Sequence, residues 1–343
     1  MTGREFIQNP GPTNIPDQVL EAFRRPPLDF DSPEFTQLVN GIWDELPELF
    51  GGAEHVFVLT SVGHGGWESA LVNLLAPGDQ ALFGVGGLFG LGWSDMASQL
   101  GYKVTTTPMD LRRAPKPDDV HDILVADRYH EIKALFIPQT ETSTGTVTDL
   151  AAMRAAIDAA DHPAMFVVDA IGSFASEPMP MRELGIDVVV AASQKALMMP
   201  PGLAMCAASE RAIEVSRTEP TPARYWAWPP RMNGDAVYYR FGGTPPIQHM
   251  YAFRAALDMI AAEGGIDGIV ARHHRIAAAV HACVEAWGSE GPWELNATEP
   301  SERSAAVTCV RTGHIDAGEL LRVARDTFHV SLGGGMLELR GNA

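Results

Sequence analysis

Short apolar segments alternate with helical segments over about the first two hundred residues of the chain. The apolar segments are rich in β-branched and aromatic residues, as buried strands are. They lie at 55–60, from 79 into the glycines at 84, and at 103–107, 132–137, 164–168, 188–192 and 203–208. Helical patterns lie before the first of them, at 17–25 and from Ser32 onward, and between later ones, at 67–75 and 150–160. This alternation predicts an α/β fold with a mostly parallel sheet that helices cover on both faces.

Polar features follow four of these predicted strands at the ends where the strands finish. They are the turn Ser61–Gly66, the loop Glu141–Gly145, Asp169 and Lys195. In open parallel sheets, ligands bind beyond the carboxyl ends of the strands. We therefore expect these four features to converge on one site.

Lys195 follows the apolar run Val188–Ala192 and precedes the turn Pro200-Pro201-Gly202. Burial lowers the pKa of an ammonium, so a lysine at this position can serve as the free amine that forms a Schiff base with a carbonyl. The same pattern also fits a lysine whose stem packs on the turn while its ammonium reaches water.

Ser61–Gly66 and Asp169 extend the chemistry that Lys195 suggests. A glycine turn that leads from a strand into a helix can cradle a phosphate with free backbone N–H groups, although such turns also serve tight packing. Asp169 could pair with a cofactor's ring nitrogen, or it could cap the next turn. An amine, an acid and an anion cradle together are what pyridoxal 5′-phosphate (PLP) requires.

A second glycine turn, Gly84–Gly90, offers a different cofactor. A dinucleotide-binding turn has the spacing G-x-G-x-x-G, with an acid near the end of the following strand, where Asp110 lies. The spacing here is G-x-G-x-x-x-G, one residue too long. A nicotinamide-dependent dehydrogenase is therefore the weaker hypothesis.

Charge and cysteine content narrow the range of partners. The formal net charge of −18 argues against nucleic acid, because phosphate binding needs clustered Lys and Arg. Three cysteines without CxxC or Cys/His spacing predict neither disulfides nor a metal site. The chain has no signal-peptide pattern and no apolar run of membrane-spanning length, so we expect a cytoplasmic protein that does not contact membranes.

Motifs along essentially the whole chain resemble those of the class V, fold-type I PLP-dependent aminotransferases, in the serine–glyoxylate and alanine–glyoxylate group with its aspartate–glyoxylate relatives. The matching segments, in the family's order, are 10–16 (PGPTNIP), 63–71 (GHGGWESAL), 141–145 (ETSTG), 168–173 (VDAIGS), 185–188 (GIDV), 193–196 (SQKA), 200–203 (PPGL) and 244–246 (TPP). The resemblance implies a large domain with a mostly parallel seven-stranded sheet sandwiched by helices, and a smaller C-terminal α+β domain. It divides the chain into an N-terminal segment at 1–20 that contributes to the active site and the small domain, a PLP-binding domain at 21–246, and a linking helix with the small domain at 247–343.

The resemblance also implies a role for each matching residue. Lys195 is the Schiff-base lysine and Asp169 the partner of the pyridinium nitrogen. The remaining cofactor contacts fall to Ile171 under the ring, Phe89 stacked on it, Thr142 at the phenolic oxygen, and Gly63, His64 and Gln194 at the phosphate. Thr244 is expected to reach the phosphate of a neighbouring subunit, which implies a homodimer with shared active sites. The backbone at Gly11 and Thr13 is expected to lie over the substrate carboxylate.

Three positions depart from the family pattern. His64 stands where serine–glyoxylate members show threonine, as in alanine–glyoxylate members, so the amino donor stays open between serine, alanine and aspartate. Phe241 replaces a tyrosine that donates to the phosphate. The family continues past residue 343 into a segment whose arginine grips the substrate carboxylate, so the C-terminal domain is expected to be incomplete, with Arg340 as the remaining candidate for that role.

These observations predict an enzyme that moves an amino group from a small amino acid to glyoxylate or a similar small 2-oxo acid. A lyase of the same fold and a catalytically weak PLP-binding protein are the alternatives, ahead of the dehydrogenase.

Overall fold

The computed structural model describes residues 5–218, 221–232 and 236–343. Its helices, in chain order, are α1 (Asp17–Phe23), α2 (Pro33–Leu49), α3 (Gly63–Leu74), α4 (Leu88–Gln99), α5 (Pro117–Ala126), α6 (Leu150–Ala159), α7 (Glu210–Thr218), α8 (Pro229–Met232), α9 (Val237–Phe241), α10 (Ile247–Ala262), α11 (Gly265–Gly288) and α12 (Ala317–Phe328), with 3-10 turns at Pro300–Glu302 and Leu337–Leu339. Its strands are β1 (Phe6–Gln8), β2 (His55–Ser61), β3 (Gln80–Phe83), β4 (Lys103–Thr106), β5 (Ile132–Pro138), β6 (Thr140–Glu141), β7 (Thr146–Val147), β8 (Met165–Asp169), β9 (Val188–Ala192), β10 (Gly202–Ala208), β11 (Glu294–Leu295), β12 (Val310–Arg311) and β13 (Val330–Leu332).

Seven strands form the central sheet in the order β2-β10-β9-β8-β5-β3-β4. Strand β10 runs antiparallel to both of its neighbours, β2 and β9. The remaining neighbours pair in parallel. The predicted α/β fold with a mostly parallel seven-stranded sheet is thus confirmed.

Strand β9 shows why the sheet's interior strands are apolar throughout. All five of its residues are buried. Val189 and Ala191 belong to one apolar cluster, whereas Val188 and Val190 belong to another. Successive side chains of a strand point to opposite faces, so β9 sits between two cores and needs apolar residues at every position.

Helix α2 begins as the sequence predicts, whereas α3 begins earlier. The Ser32 hydroxyl accepts a hydrogen bond from the Phe35 N–H at 3.2 Å and caps the helix, with Pro33 in its first turn. The prediction that the next helix starts at Trp67 is wrong, because the helix begins at Gly63. Packing overrides the low helix propensity of the glycines, since a Cβ at Gly66 would lie 2.6 Å from Val190 Cγ1 of the sheet.

The C-terminal part contains less strand and more helix than predicted. The apolar run from Ala305 to Val310 predicts a strand, and this prediction is wrong over 305–309, where the N–H groups of Ala305 and Ala306 bond to side chains. The Ala305 N–H donates to the Glu177 carboxylate at 2.6 Å, and the Ala306 N–H donates to the Ser304 hydroxyl at 3.0 Å. The sequence around Ile276 predicts a helix, and the observed helix, α11, starts eleven residues earlier, at Gly265.

Two small sheets lie outside the central one in the C-terminal half of the described chain. Strand β11 pairs with β12, and β1 pairs in parallel with β13 near the C-terminus. The N-terminal segment therefore joins the C-terminal part of the fold. The domain boundaries at residues 20 and 246 stay predictions.

Candidate active site

Asp169 and Lys195 leave the central sheet side by side. Asp169 is the last residue of β8, and Lys195 comes three residues after the end of β9. The two strands are parallel neighbours, with Asp169 paired to Val190, so both side chains arise at the same edge of the sheet. The structure thus brings together the acid and the amine that the sequence singled out.

The Asp169 carboxyl is buried, with 4% of the residue exposed. Burial raises its pKa to about 7. The backbone N–H of Ile171 opposes this shift by donating to Asp169 Oδ1 at 2.7 Å. The Trp67 indole N–H also lowers the pKa, although it makes no hydrogen bond of normal geometry, and Lys195 lowers it further while Glu141 raises it.

Burial lowers the pKa of the Lys195 ammonium, and the charge of Asp169 partly opposes the shift. The Lys195 Nζ donates to the backbone carbonyl of Pro10. Thr13 fixes the same turn from the other side, because its hydroxyl donates to the Lys195 carbonyl at 3.2 Å and its N–H donates to the Gln194 carbonyl at 3.2 Å. The N-terminal segment therefore lies directly on the lysine.

Gly11 allows this close approach. Its φ of +112° lies in a region that other residues rarely adopt. A Cβ built there would lie 2.7 Å from both Cδ and Nζ of Lys195. A side chain at position 11 would fill the space in front of the amine.

Helix α3 presents an open N-terminus at the same sheet edge. Val62 precedes it in extended conformation and no side chain caps the helix. Within the described ranges, the backbone N–H groups of Gly63 and His64 have no acceptor. A Cβ at Gly63 would come within 2.4 Å of Ile171 Cδ1, so glycine keeps this end of the helix clear. Free N–H groups at a helix N-terminus suit a phosphate.

Gln194, the residue before Lys195, adds an unsatisfied buried polar group. Its Oε1 is buried and has no hydrogen-bond partner in the part of the chain that the structure describes. The two ends of an amide side chain exchange by rotation, so this group can turn its NH₂ toward an anion. The open helix end and the orphaned amide together fit the phosphate group of PLP.

An aromatic and hydroxyl wall completes the pocket. Phe89, half-buried at the start of α4, packs edge-on against Trp67 with ring centroids 6.3 Å apart. The exposed His64 ring lies 4.7 Å from that of Trp67. The buried Thr142 hydroxyl lies 2.9 Å from the position of a Cβ at Gly172, next to Ile171. Ring and hydroxyl surfaces of this kind fit a pyridine ring with a phenolic oxygen.

The second glycine turn is closed to a nucleotide. The buried Glu141 carboxylate occupies the N-terminus of α4, where it accepts from the N–H groups of Phe89 and Gly90. A pyrophosphate at this helix end would meet a negative charge in place of free N–H groups. This geometry counts against the dehydrogenase hypothesis.

The sequence profile of the family described as "Aminotransferase class-V" matches residues 6–335. The chain belongs to the class V aminotransferases. It is 36% identical to the L-aspartate–glyoxylate aminotransferase of Paracoccus denitrificans strain Pd 1222, over 99% of this chain and 85% of that protein. It is also 36% identical to the serine–glyoxylate aminotransferase of Hyphomicrobium methylovorum, over 99% of this chain and 84% of that protein.

Solved structures of aminotransferases share the fold. The ureidoglycine–glyoxylate aminotransferase of Bacillus subtilis superposes with a TM-score of 0.89 at 24% identity, covering 100% of this chain and 87% of that one. The alanine–glyoxylate aminotransferase of Nostoc sp. gives a TM-score of 0.88 at 25% identity, covering 100% and 89%. The architecture is therefore that of the fold-type I PLP enzymes.

Two residues predicted for the site of this class V aminotransferase lie apart from the Lys195 cluster. Thr244 is exposed between α9 and α10, and no contact within the described chain ties it to the cluster. Arg340 is exposed, and among the described residues its side chain forms no hydrogen bond or ion pair. Phe241, at the position where the family has tyrosine, is buried with its ring 5.4 Å from that of Trp43.

Three residues that shape the site received no role from the sequence. Glu141 and Trp67 lie inside motifs that the sequence singled out, at the loop after β5 and on α3, yet their side-chain partners are distant in sequence. Pro10 acts through its backbone carbonyl, which no residue type reveals. The acidic residue that begins the polar loop Glu141–Gly145 was the one sequence signal that could have pointed to these residues.

Two kinds of feature are missing from the described ranges. No group of three or more His, Cys, Asp or Glu side chains is arranged to hold a metal ion there. None of the helices in those ranges is long and apolar enough to span a bilayer.

Proposed function

We propose that this chain is a PLP-dependent aminotransferase that moves an amino group from serine, alanine or aspartate to glyoxylate or a similar small 2-oxo acid. The observation that carries the proposal is the pairing of Lys195, with its lowered pKa, and the buried Asp169 on adjacent strand ends. The glyoxylate aminotransferases among its relatives support the choice of acceptor.

Different residues around this pair would bind different parts of the cofactor. The open N-terminus of α3 at Gly63 and His64, together with the Gln194 amide, would bind the phosphate. Phe89 and Ile171 would enclose the ring, and Thr142 would donate to its phenolic oxygen. When bound, PLP carries the amino group between the two substrates and withdraws electrons from the reacting carbon.

Lys195 supplies the amine that anchors the cofactor and moves the proton at the substrate's α-carbon. Both tasks need an unprotonated nitrogen, which burial favours by lowering the pKa. The Pro10 carbonyl orients Nζ across the site. The N-terminal segment also covers the lysine, which limits the entry of water.

Asp169 would accept a hydrogen bond from the protonated ring nitrogen. With a pKa of about 7, the carboxyl is poised between its two forms at neutral pH, and a cationic ring would draw it into the ionised form. A buried ion pair of this kind would keep the ring protonated. The Ile171 N–H, 2.7 Å from Oδ1, fixes the direction of the carboxylate.

The substrate carboxylate would lie against the backbone at Gly11 and Thr13, next to Lys195. The small gap that glycine leaves there favours small substrates. We further propose a cytoplasmic homodimer in which Thr244, exposed within one chain, reaches the phosphate site of the partner.

Reconstitution with PLP tests the proposal. The purified chain should acquire a near-visible absorbance band with PLP, and Lys195→Ala should abolish that band. Serine, alanine and aspartate would each be added to the loaded protein, and bound pyridoxamine phosphate would be measured. Conversion with at least one donor, reversed by glyoxylate, is expected. Release of a 2-oxo acid without pyridoxamine phosphate would indicate a lyase instead.

One observation favours a second candidate, a PLP-binding protein with weak turnover. The exposed Arg340 makes no contact with the lysine, Gly11 or Thr13 in the described chain, so a carboxylate-binding cation is missing from the cluster. Bidentate arginine contacts supply much of the grip on a carboxylate. A Lys195-dependent band with no half-reaction against any of the three donors would support this candidate.

A further inference from the structure

Glu141 connects the loop at Thr142 to helix α4, which bears Phe89. The proposed function uses both of these elements but gives no role to Glu141 itself. It follows β5, immediately before Thr142, and is 2% exposed. Its carboxylate reaches across the edge of the sheet to α4, which follows β3. The acid is thus placed to join the loop at Thr142 to the helix that bears Phe89.

Four donors converge on this carboxylate. The Phe89 N–H lies 3.3 Å from Oε1 and 3.2 Å from Oε2, and the Gly90 N–H lies 3.1 Å from Oε2. The Ser143 N–H and hydroxyl donate to Oε1 at 3.1 Å and 2.6 Å. An ionised carboxylate is acceptor-only and can satisfy all four, and its charge matches the positive end of the helix.

Ser143 completes the connection. Its hydroxyl accepts from the Leu88 N–H at 2.9 Å, so two side chains of one loop engage the first three N–H groups of α4. Gly87 permits the approach, because a Cβ there would lie 2.3 Å from Ser143 Oγ and 2.9 Å from Glu141 Cδ. The start of α4 therefore cannot move without moving the loop that carries Thr142.

We propose that Glu141 is a positioning residue that fixes the Phe89 ring relative to Thr142 and Asp169, and so presets the gap that the cofactor ring enters. This inference rests on the proposed function. Glu141 acts through Phe89 and makes no contact with the cofactor itself.

The first test uses the cofactor-free protein. Glu141→Gln replaces one acceptor by an NH₂ that faces other donors, so amide exchange at 88–90 should become roughly 2- to 30-fold faster, as for loss of a helix cap. Asp149→Asn is the matched control, because the Asp149 carboxylate caps a different helix, α6, by accepting a hydrogen bond from the Ala152 N–H at 2.9 Å. Asparagine caps a helix about as well as aspartate, so this loss of a carboxylate should change exchange at the start of α6 little and leave 88–90 unchanged.

The second test is a double-mutant cycle on the dissociation constant of PLP, measured from the Lys195-dependent absorbance band. Phe89→Ala should weaken binding about 2- to 12-fold, the range of one aromatic contact. Glu141→Gln should weaken it by no more than that. In the Phe89→Ala background, Glu141→Gln should add less than about twofold, because the ring on which it acts is gone.

If the effects of the two substitutions on the dissociation constant of PLP multiply, the inference is overturned. Unchanged amide exchange at 88–90 in Glu141→Gln would also overturn it. Ser143→Ala provides a milder variant if Glu141→Gln fails to fold: it leaves the carboxylate on Phe89 and Gly90, and it should show the same pattern at smaller size. Failure of the proposed function is distinguishable, since the wild-type chain would then form no Lys195-dependent band while the exchange test would still apply.

A titration tests whether the Glu141 carboxylate lies close to Asp169 in solution. The charge of Glu141 contributes to raising the pKa of Asp169. Glu141→Gln should therefore lower the pH at which the Asp169 carboxyl ionises in the cofactor-free protein, followed by its infrared carbonyl band with Asp169→Asn subtracted. Asp149→Asn should leave that midpoint in place. An unchanged midpoint with Glu141→Gln would mean that the carboxylate lies elsewhere in solution.

Discussion

Two helix N-termini face the candidate active site, and they are built for opposite purposes. Helices α3 and α4 both follow a strand of the central sheet, and glycines lie in or just before the first turn of each. At α3, the N–H groups of Gly63 and His64 have no acceptor among the described residues. At α4, Glu141 and Ser143 bind the first three N–H groups. The start of α3 is open, and the start of α4 is filled by the protein's own side chains.

The difference shows that the residues of a glycine turn do not by themselves determine whether the helix end beside it can bind an anion. Both turns present the same elements in sequence, namely a strand, glycines and a helix start. What separates them is a carboxylate about fifty residues further along the chain, brought in by the parallel pairing of β3 with β5. Long-range pairing thus decides which helix end can receive a phosphate.

Trp67 on α3 and Glu141 at the start of α4 both influence the pKa of Asp169. Substitution of Asp169 gives the largest expected effect. Its pKa of about 7 exceeds the usual value of 3.8, so the folded, cofactor-free protein holds this proton more tightly than the unfolded chain does. The stabilisation is fully present below pH 3.8 and is lost as the pH rises through 7. Asp169→Asn removes this dependence. Relative to wild type, the variant should therefore gain on the order of 3 kcal/mol of unfolding free energy between pH 5 and pH 8.

Urea unfolding of both cofactor-free proteins at the two pH values measures this gain. Other titrating groups, including the buried Glu177, are common to both proteins and cancel in the difference. Parallel stability curves across this range would show that the carboxyl ionises with its ordinary pKa, and that the site between the two helices is wetter than the structure indicates.

Gly63→Ala tests the open end directly. The added Cβ would lie 2.4 Å from Ile171 Cδ1, so either the side chain beneath the proposed ring or the helix end must shift. Overpacking of about 1 to 3 kcal/mol corresponds to PLP binding weakened roughly 5- to 150-fold. Titration of the near-visible band measures the loss.

Gly41→Ala is the control for this substitution. Position 41 lies inside α2, and a Cβ there meets nothing within 4 Å. The variant should bind PLP like wild type and gain up to about 1 kcal/mol of stability, as alanine does over glycine in a helix. Equal PLP affinities for Gly63→Ala and Gly41→Ala would remove the open helix end from the phosphate site.

The strands and the proximity of Asp169 to Lys195 could be predicted because their signals are local or topological. Val188–Ala192 is apolar on both faces, and Asp169 and Lys195 follow neighbouring strands, so parallel pairing alone brings them together. The order of the motifs along the chain supplied the family, which its profile confirms. The roles proposed for the individual site residues, including Thr244 and Arg340, stay predictions.

The remainder was out of reach because it depends on partners distant in sequence. Gly63 starts a helix despite its low propensity, and the Ile171 side chain that follows β8 leaves no room for a larger residue there. Residues 305–309 look like a strand, but Glu177 takes the backbone N–H of Ala305. Glu141 caps a helix whose sequence shows no cap of its own.

Two stacked tryptophans, one on each helix, provide the last test of the comparison. Their substitution should have the smallest effect, which is a change in the pKa of Asp169. Trp67 on α3 and Trp93 on α4 are both buried, their rings lie 5.5 Å apart, and the N–H of each has no partner in the described chain. Of these two indole N–H groups, only that of Trp67 lowers the pKa of Asp169. Trp67→Phe should raise that pKa above about 7 by less than about one unit, whereas Trp93→Phe, which removes an equivalent buried indole, should not. The infrared carbonyl band of Asp169 in the cofactor-free protein follows both shifts. Equal midpoints in the two variants would mean that Trp67 only fills space, and that α3 influences the acid solely through packing.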